Sequence, residues 1–163
     1  MIKILFSGCL LGELVKYHGG SAFCDNPLIE KWKNEGRIVS ICPEVSAGLP
    51  VPRPSSEIIG GSGIDVLKNK AQVFSHTGIN RTEAFIIGAK NTLEIVNLHK
   101  IKIAILKSKS PSCGNNQIYD GTYSGSIIFG SGVTAALLTQ NNVVIFNENE
   151  LELADSYLRT LEE

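Results

Sequence analysis

The sequence predicts an α/β fold, a single-domain three-layer sandwich in which helices cover both faces of a mostly parallel sheet of about four strands. Three observations support this prediction. Short apolar runs alternate with segments of helical spacing along the chain. Loops dense in glycine, proline and serine separate the two kinds of segment. The length of 163 residues suits one domain, 1-163, with a sizeable core. Such alternation is typical of a Rossmann-like sheet.

The first half of the chain begins with a short apolar run, Ile2–Ser7, which predicts a buried strand. A glycine-containing loop over Gly8–Gly20 follows, and then a helix for which Asp25 is a suitable N-terminal cap. The second strand is predicted at Arg37–Ile41. The next segment, Cys42–Gly63, contains four prolines among many Gly and Ser residues, so we expect an ordered loop without regular helix.

The second half of the chain contains the clearest amphipathic pattern, with apolar residues at helical spacing over Thr82–Lys100. This pattern predicts a helix, and the apolar run Ile101–Leu106 directly after it predicts the third strand. A loop rich in Gly, Ser and Asn is predicted over Ser108–Gly130. The remaining expected elements are a small strand or hairpin, a helix that Ser131 can cap, a fourth strand and a closing helix, at Asp65–Ser75, Val133–Thr139, Val143–Phe146 and Glu148–Leu161.

Charge and hydropathy exclude two classes of partner. The formal net charge is −1 and no basic stripe is visible, so we expect no polymeric nucleic-acid partner. No apolar run approaches the roughly 20 residues that cross a bilayer, so we expect no membrane segment. The N-terminal apolar run is broken by Gly8 and Gly12, which favours a first strand over a signal peptide and predicts a cytoplasmic location. Monomer and homodimer both stay open.

Three of the four cysteines follow predicted strands. Cys9 lies just past the first strand, Cys42 immediately past the second and Cys113 a few residues past the third. Because the C-terminal ends of parallel strands share one edge of the sheet, we expect these three thiols to meet at one ligand-binding site. Taken singly, each is also consistent with a small buried apolar residue, but all three lie in loops. Cys24, at a helix entrance, is expected to serve ordinary packing.

Three thiolates leave a metal centre one ligand short. For zinc, three protein ligands and an open position describe a catalytic site. For a cubane iron–sulfur cluster, three cysteines bind three irons and leave the fourth iron open to an exogenous ligand. The absence of a CxxC motif disfavours a zinc ribbon and a thioredoxin-type redox pair. The residues alone leave zinc and a cluster as open alternatives.

Polar residues accompany these cysteines in the chain. Glu44, in the segment CPEV, is a candidate general base, and Ser110, in SPSCG, is a candidate hydrogen-bond donor or proton relay. Backbone amides of the SPSCG loop could form an anion-binding nest, and Ser112 and Gly114 of this loop are candidates for binding the substrate. Arg53, in LPVPRPS, is a further candidate for substrate binding, through a negatively charged or carbonyl group. Solvated loop positions and turn residues are the competing interpretations.

The motifs resemble those of a bacterial family of three-cysteine iron–sulfur proteins that includes thiouracil desulfidases. The resemblance covers nearly the whole chain in order and is carried by the segments SGCLLG, CPEVSAGLPVPRP, LKSKSPSCG, IYDGTYSG and GSGVTAALL. It implies a 4Fe-4S cluster with one open iron, held by Cys9, Cys42 and Cys113, and catalytic roles for Glu44 and Ser110. The implied reaction is non-redox removal of sulfur from a small thiolated substrate, such as 2-thiouracil, giving the oxo base and hydrogen sulfide.

The chain departs from the family pattern at two places. The segment Tyr17–Gly19 reads YHG where members of the family show YDG, and Asn80 stands where an acidic residue is usual. If His18 bordered the pocket, we would expect a shifted substrate preference; no histidine is predicted to be a metal ligand. A zinc-dependent hydrolase using the same thiolates and a non-catalytic cluster- or ligand-binding module are the alternative functions.

Overall fold

A computed structural model describes the whole chain, Met1–Glu163. In chain order its strands and helices are β1 (Ile4–Ser7), α1 (Pro27–Asn34), β2 (Ile38–Ile41), α2 (Pro43–Ser46), β3 (Ser56–Ile59), α3 (Gly63–Leu67), β4 (Gln72–Ser75), α4 (Thr82–His99), β5 (Ile103–Ile105), β6 (Gln117–Tyr119), β7 (Ile127–Phe129), α5 (Val133–Gln140), β8 (Val144–Phe146) and α6 (Leu151–Glu162). A turn of 3-10 helix, Gly8–Leu11, follows β1 directly. None of the helices combines the length and the apolar character needed to cross a membrane.

Four strands form a parallel sheet in the order β2-β1-β5-β8. Ile4 of β1 pairs with Ile38 of β2 on one side and with Ile103 of β5 on the other, and every neighbouring pair is parallel. The chain passes from β1 to β2 and then returns across β1 to β5, so the direction of the crossovers reverses between β1 and β5. Ligands of open parallel sheets bind at such a switch point, beyond the C-terminal ends of the strands. The predicted α/β fold with a four-stranded parallel sheet is confirmed.

Helices cover both faces of the sheet because side chains alternate along each strand. Phe6 of β1 lies on one face and packs against Trp32 of α1, with ring centroids 6.1 Å apart, and against α6 through Leu158. Leu5 points to the opposite face, where it joins a second buried cluster with Leu138 of α5. The strands are therefore apolar on both faces, which explains why they read as continuous apolar runs in the sequence.

Two antiparallel strand pairs, β3–β4 and β6–β7, lie outside the parallel sheet. They pack on α4 and α5 through a third buried cluster that includes Ile58, Phe85 and Ile118. The expectation of plain loops was wrong here, since Cys42–Gly63 contains α2 and β3, and Ser108–Gly130 contains both β6 and β7. These strands have three or four residues, and β7 is exposed along its whole length, so it lacks the apolar alternation that reveals a strand.

Two predicted helix caps were also wrong. Asn26, not Asp25, caps α1, because its Oδ1 accepts a hydrogen bond from the N–H of Leu28 at 2.9 Å. Ser131 does not cap α5; its hydroxyl donates to the carbonyl of Asn115 at 2.8 Å, and Gly132 is the capping residue. The expected small strand or hairpin over Asp65–Ser75 is partly right, since β4 pairs with β3 after the short helix α3.

Candidate active site

A cavity of about 640 Å³ opens at the C-terminal edge of the parallel sheet. Residues at or just after the ends of three neighbouring strands line it, including Ser7 of β1, Ile41 of β2 and Lys107 after β5. These strands flank the point where the crossover direction reverses, the place where parallel sheets bind ligands. The cavity therefore lies where strand topology alone predicts a binding site.

The cavity has two walls of different construction. The side formed by the strand ends and the loops that follow them is termed the cysteine wall, and its main residues are Cys9, Cys42, Glu44, Ser112 and Cys113. The side formed by the two antiparallel strand pairs is termed the hairpin wall, and its main residues are Glu57, His76, Tyr119 and Tyr123.

Three cysteines meet on the cysteine wall, as the strand positions predict. Cys9 lies in the 3-10 turn after β1, Cys42 directly follows β2 and Cys113 lies in the loop after β5. Cys9 and Cys113 are buried, Cys42 is half-buried, and all of the cysteines are free thiols. Cys24 does not line the cavity and packs at the edge of the buried cluster that contains Phe6 and Trp32, as expected.

Burial dominates the electrostatics of the three thiols. Removal from water raises the pKa of Cys9 to about 11 and that of Cys113 to about 12, and burial also raises the pKa of Cys42. The mutual repulsion of the three thiolates adds to the shifts at Cys9 and Cys113. Such thiols are poor free nucleophiles at neutral pH, because a reactive cysteine needs a lowered pKa. A bound metal that replaces the thiol protons offsets this penalty.

The chemistry of the three thiols suits a cluster. No three His, Cys, Asp or Glu side chains are grouped closely enough to hold a single metal ion. Cys9, Cys42 and Cys113 line one shared cavity. A zinc ion draws its thiolates to about 2.3 Å, whereas a cubane spans a larger space between its ligands. Three soft sulfur donors around a cavity fit an iron–sulfur cluster with one iron that the protein does not ligate.

Glu44 is held on the cysteine wall by Arg53. The Nε–H of Arg53 donates to Glu44 Oε1 at 3.1 Å, and both side chains are largely buried, with 4% and 16% exposed. The rest of the guanidinium donates to the carbonyls of Pro50 at 3.2 Å and Val15 at 3.0 Å. Arg53 was predicted to bind the substrate; it lines the cavity, and three of its five N–H groups are engaged by the protein. Its geometry fits positioning of Glu44.

Two serines connect to the other carboxylate oxygen of Glu44. Ser112 donates to Glu44 Oε2 at 3.1 Å, and the hydroxyls of Ser110 and Ser112 are 3.0 Å apart. Ser110 Oγ also accepts hydrogen bonds from the backbone N–H groups of Ser112 and Cys113, each at 3.1 Å. Because both lone pairs of Ser110 are used, its single proton points toward Ser112. The result is a directed chain of hydrogen bonds from Ser110 through Ser112 to Glu44.

An ion pair holds the start of the loop that carries these serines. Glu148 accepts hydrogen bonds from Lys107 Nζ at 2.8 Å and from the N–H of Ser108 at 2.8 Å. Burial opposes ionisation of Glu148, but these hydrogen bonds outweigh it and lower the pKa of its carboxyl. The N–H of Lys107 also donates to Ser7 at 3.0 Å, which fixes the loop to the end of β1.

Gly114 and His18, two candidates for the pocket on sequence grounds, lie outside the cavity lining. Gly114 closes the turn of the SPSCG loop, where its N–H donates to the Ser110 carbonyl at 2.9 Å, and an added Cβ would lie 2.6 Å from the Gln117 carbonyl oxygen. His18 turns away and accepts from the N–H of Gly20 at 2.9 Å, while its neighbour Tyr17 lines the cavity.

The hairpin wall holds residues that sequence reasoning missed. Glu57, Tyr119 and Tyr123 line the cavity, as does His76, whose Nδ1 is 3.3 Å from the hydroxyl of Ser55. Tyr123 joins the two strand pairs, because its hydroxyl donates to the carbonyl of Phe74 at 2.6 Å. The signal available for Glu57 was a single charge followed directly by two isoleucines, the mark of a strand with a buried polar position.

Comparison with known proteins gives one consistent result. Residues 4–150 match the family described as 2-thiouracil desulfurase. The "Uncharacterized protein YbbK" of Bacillus subtilis (strain 168) is 44% identical over 148 residues, covering 91% of this chain and 97% of that protein. A solved structure described as the [4Fe-4S]-dependent thiouracil desulfidase TudS (DUF523Vcz) is 35% identical with a TM-score of 0.89, covering 98% of this chain and 99% of that one. The chain belongs to the 2-thiouracil desulfurase family.

Proposed function

We propose that this protein removes sulfur from a thiolated nucleobase such as 2-thiouracil, in a non-redox reaction that depends on a [4Fe-4S] cluster. Water replaces sulfur at the C=S carbon, so the thiobase and water give the oxo base and hydrogen sulfide. Membership of the family supports the reaction, and the solved relative described as [4Fe-4S]-dependent supports the cofactor. The observation that carries the proposal is the arrangement of three free thiols around one cavity, next to Glu44.

The residues that would hold the cluster are Cys9, Cys42 and Cys113. Each comes from a different loop, so the cluster would tie together the ends of β1, β2 and β5. When bound, a cluster with one iron not ligated by protein supplies a thiophilic Lewis acid for the sulfur of the substrate. The alternative of a zinc hydrolase is less well supported, because the solved relative is described as [4Fe-4S]-dependent.

Glu44 is proposed as the general base. Arg53 engages Oε1 at 3.1 Å and Ser112 engages Oε2 at 3.1 Å, so the carboxylate is held in one orientation on the cavity lining. From there it takes a proton from the water that attacks the C=S carbon. The hydrogen bond from Arg53 is charge-assisted, which is the stronger kind of hydrogen bond, and it holds the carboxylate in this orientation.

Ser112 and Ser110 are proposed to handle the proton beyond Glu44. The hydrogen bonds run from Ser110 through Ser112 to the carboxylate, with oxygen–oxygen distances of 3.0 Å and 3.1 Å. Return of the proton from Glu44 to the loop that holds Cys113, where the leaving sulfur needs it, requires this chain to reverse, and Ser110 Oγ then releases one of its two backbone hydrogen bonds to accept from Ser112. Ser110 is therefore proposed as a catalytic relay, with Ser112 as the link that connects it to the base.

We also propose that residues 1–163 act as one desulfidase-like domain. Helix α4 supports this proposal, because it contributes to two of the buried clusters. Val96 belongs to the second cluster, which packs on the parallel sheet, and Phe85 belongs to the third, which packs on the antiparallel strand pairs, so one helix joins both parts of the chain. A reducing, cytoplasmic location is proposed from the four free thiols. The net charge of −1 supports a small-molecule substrate over a polymeric nucleic acid.

The experiment that tests the function is an anaerobic assay of sulfide release. The protein is purified and reconstituted with iron and sulfide, and its brown cluster is quantified by absorption and by iron content, with about four irons per chain expected. 2-Thiouracil and other thiolated bases are then supplied, and hydrogen sulfide and the oxo base are measured together. Equal yields of the two products support the proposal, whereas a colourless zinc protein or a cluster-loaded protein without sulfide release contradicts it.

A further inference from the structure

Glu57 is a buried carboxylate on the hairpin wall that the proposed mechanism does not use. It lies in the middle of β3, is only 8% exposed and lines the cavity. Its Oε1 accepts hydrogen bonds from the N–H groups of Gly121 at 2.9 Å and Tyr123 at 3.2 Å. These two bonds fix the turn between β6 and β7 against β3, so one oxygen has a structural task.

The other oxygen of Glu57, Oε2, has no hydrogen-bond partner and no cation within salt-bridge distance. Oε2 of Glu57 is not fully buried, because the fully buried polar side-chain atoms that lack a partner belong to Trp32 and Thr134. Since Glu57 lines the cavity, a ligand in the cavity can reach this oxygen. A largely buried carboxylate without a counter-charge is costly to maintain. A free acceptor at the edge of a ligand cavity can accept a hydrogen bond from a donor on the bound ligand.

Thiolated nucleobases carry such a donor, because their ring N–H groups are adjacent to the thiocarbonyl. We propose that Glu57 Oε2 accepts a hydrogen bond from a ring N–H of the substrate and thereby selects thiolated bases that carry a free N–H at that position. This inference rests on the proposed function and extends it to substrate recognition. It gives the hairpin wall a task distinct from that of the cysteine wall, which holds the groups that act on the C=S bond.

A hydrogen bond to a buried carboxylate also discriminates between ligands. A base that presents a lone pair or a methyl group at the same place leaves the carboxylate desolvated and unpaired. Sites built around such a polar group reject analogues that lack the matching donor much more strongly than apolar pockets reject a change in size. Glu57 is therefore proposed as a determinant of specificity, not as a residue that acts on the reacting bond.

The test measures binding apart from turnover. Glu44→Gln provides an inactive background in which 2-thiouracil binding to the reconstituted protein is measured anaerobically by calorimetry. Adding Glu57→Gln keeps an oxygen for the N–H groups of Gly121 and Tyr123 but presents an NH₂ group to the cavity, where it opposes the ring N–H. We expect the Kd to rise by about tenfold or more, with the cluster absorption unchanged. Glu94→Gln, on an exposed face of α4, is the matched control and should bind as the background does.

Methylated ligands complete the test. 2-Thiouracil methylated at N1 and at N3 is compared in both backgrounds, and we expect the background protein to reject one of them while Glu57→Gln loses that discrimination. Equal Kd values with and without Glu57→Gln, or a fall in Tm with unchanged discrimination, overturn the inference and leave the proposed function standing. If binding depends on Glu57 but the protein with Glu44 intact releases no sulfide, the proposed function is contradicted and the inference about Glu57 stands. No binding of 2-thiouracil to any form overturns both.

Discussion

The two walls of the cavity are built from different parts of the fold. The cysteine wall is formed by the ends of parallel strands, where the topology of the sheet brings distant loops together. The hairpin wall is formed by two short antiparallel pairs that are inserted between elements of the sheet and rest on α4 and α5. One wall follows from the architecture of every parallel sheet, and the other is built from strand pairs that such a sheet does not require.

This difference suggests a division of labour. The thiols, Glu44 and the two serines lie on the cysteine wall, so the groups proposed to act on the C=S bond share a rigid base. Glu57 and Tyr123 lie on the hairpin wall, whose two strand pairs are joined to each other by side-chain hydrogen bonds. Changes on the cysteine wall should therefore affect the cluster or kcat, and changes on the hairpin wall should affect binding.

The largest expected effect comes from removing one thiol. Cys113→Ala deletes a proposed ligand at a buried position, 5% exposed, so the cluster loses one of its three protein bonds. We expect loss of the brown colour, loss of most of the iron and no detectable sulfide release. Cys24→Ala is the matched control, since Cys24 lies off the cavity and should leave iron content and activity unchanged. Full iron content in Cys113→Ala together with loss in Cys24→Ala would contradict the assignment.

Glu44→Gln should separate chemistry from cluster binding. The amide keeps the size of the side chain but cannot take a proton, so turnover should fall by about 10²- to 10⁴-fold. The cluster should remain, because the thiols themselves are untouched. Sulfide release and cluster absorption are measured on the same reconstituted sample. Turnover close to that of the unchanged protein would mean that another group is the base.

The cysteine wall was the part of the site that the sequence predicts well. The apolar runs that form β1, β2 and β5 are continuous, and the rule that parallel strands end at one edge then places Cys9, Cys42 and Cys113 together. Glu44 comes with them, since it follows Cys42 by two positions. These predictions depend only on the order of strands in a parallel sheet, and the local apolar patterns are enough to locate those strands.

Most of the hairpin wall was not predicted, for a physical reason, and only β4 was expected as part of a small strand or hairpin over Asp65–Ser75. Its strands are three or four residues long, and its connections are made between residues far apart in sequence, such as Glu57 and Tyr123, which are 66 positions apart. The link between Ser112 and Glu44 spans 68 positions and was missed in the same way. No local pattern encodes such pairs, because they depend on the path of whole loops. The contact between Arg53 and Glu44, nine positions apart, was also not predicted; Arg53 was expected to bind the substrate, and it lines the cavity while holding Glu44.

A glycine beneath the cysteine wall tests how rigid that wall is. Gly88 of α4 packs against the backbone of Pro43, and an added Cβ would lie 2.3 Å from the Pro43 carbonyl oxygen. Gly88→Ala should destabilise the protein by about 1–3 kcal/mol through overpacking, although alanine is the better helix former by about 1 kcal/mol. Urea unfolding measures the change. An increase in stability would show that α2 shifts without cost and that the wall is softer than proposed.

Tyr123→Phe tests the hairpin wall with a smaller change. It removes the hydroxyl that donates to the carbonyls of Phe74 at 2.6 Å and Ser75 at 3.3 Å, and thus loosens the link between the two strand pairs. We expect a stability loss of about 1 kcal/mol and a rise in KM with kcat and iron content retained. Steady-state kinetics on the reconstituted protein measure both constants. A fall in kcat at constant KM would contradict the division of labour between the walls.

The smallest expected effect is a pH dependence at the base of the cysteine wall. The pKa of Glu148 is lowered because hydrogen bonds from Lys107 and from the N–H of Ser108 outweigh the effect of burial. A lowered pKa means that the unfolded chain binds the proton more readily. The stabilisation from this carboxylate is therefore complete above its unfolded pKa of about 4.3 and is lost as the pH falls through the lower folded value.

Glu148→Gln should remove this dependence, because the amide does not titrate. The two proteins should differ in unfolding free energy by less than about 1 kcal/mol at neutral pH, and the difference should shrink as the pH falls below about 4. Urea unfolding at a series of pH values measures it, with the exposed Glu94→Gln as control. A difference that stays constant with pH would indicate lost packing, whereas the expected convergence shows that charge holds the loop bearing Ser110 and Cys113 to the sheet. The cysteine wall would then owe its rigidity in part to an ion pair that the sheet topology does not supply.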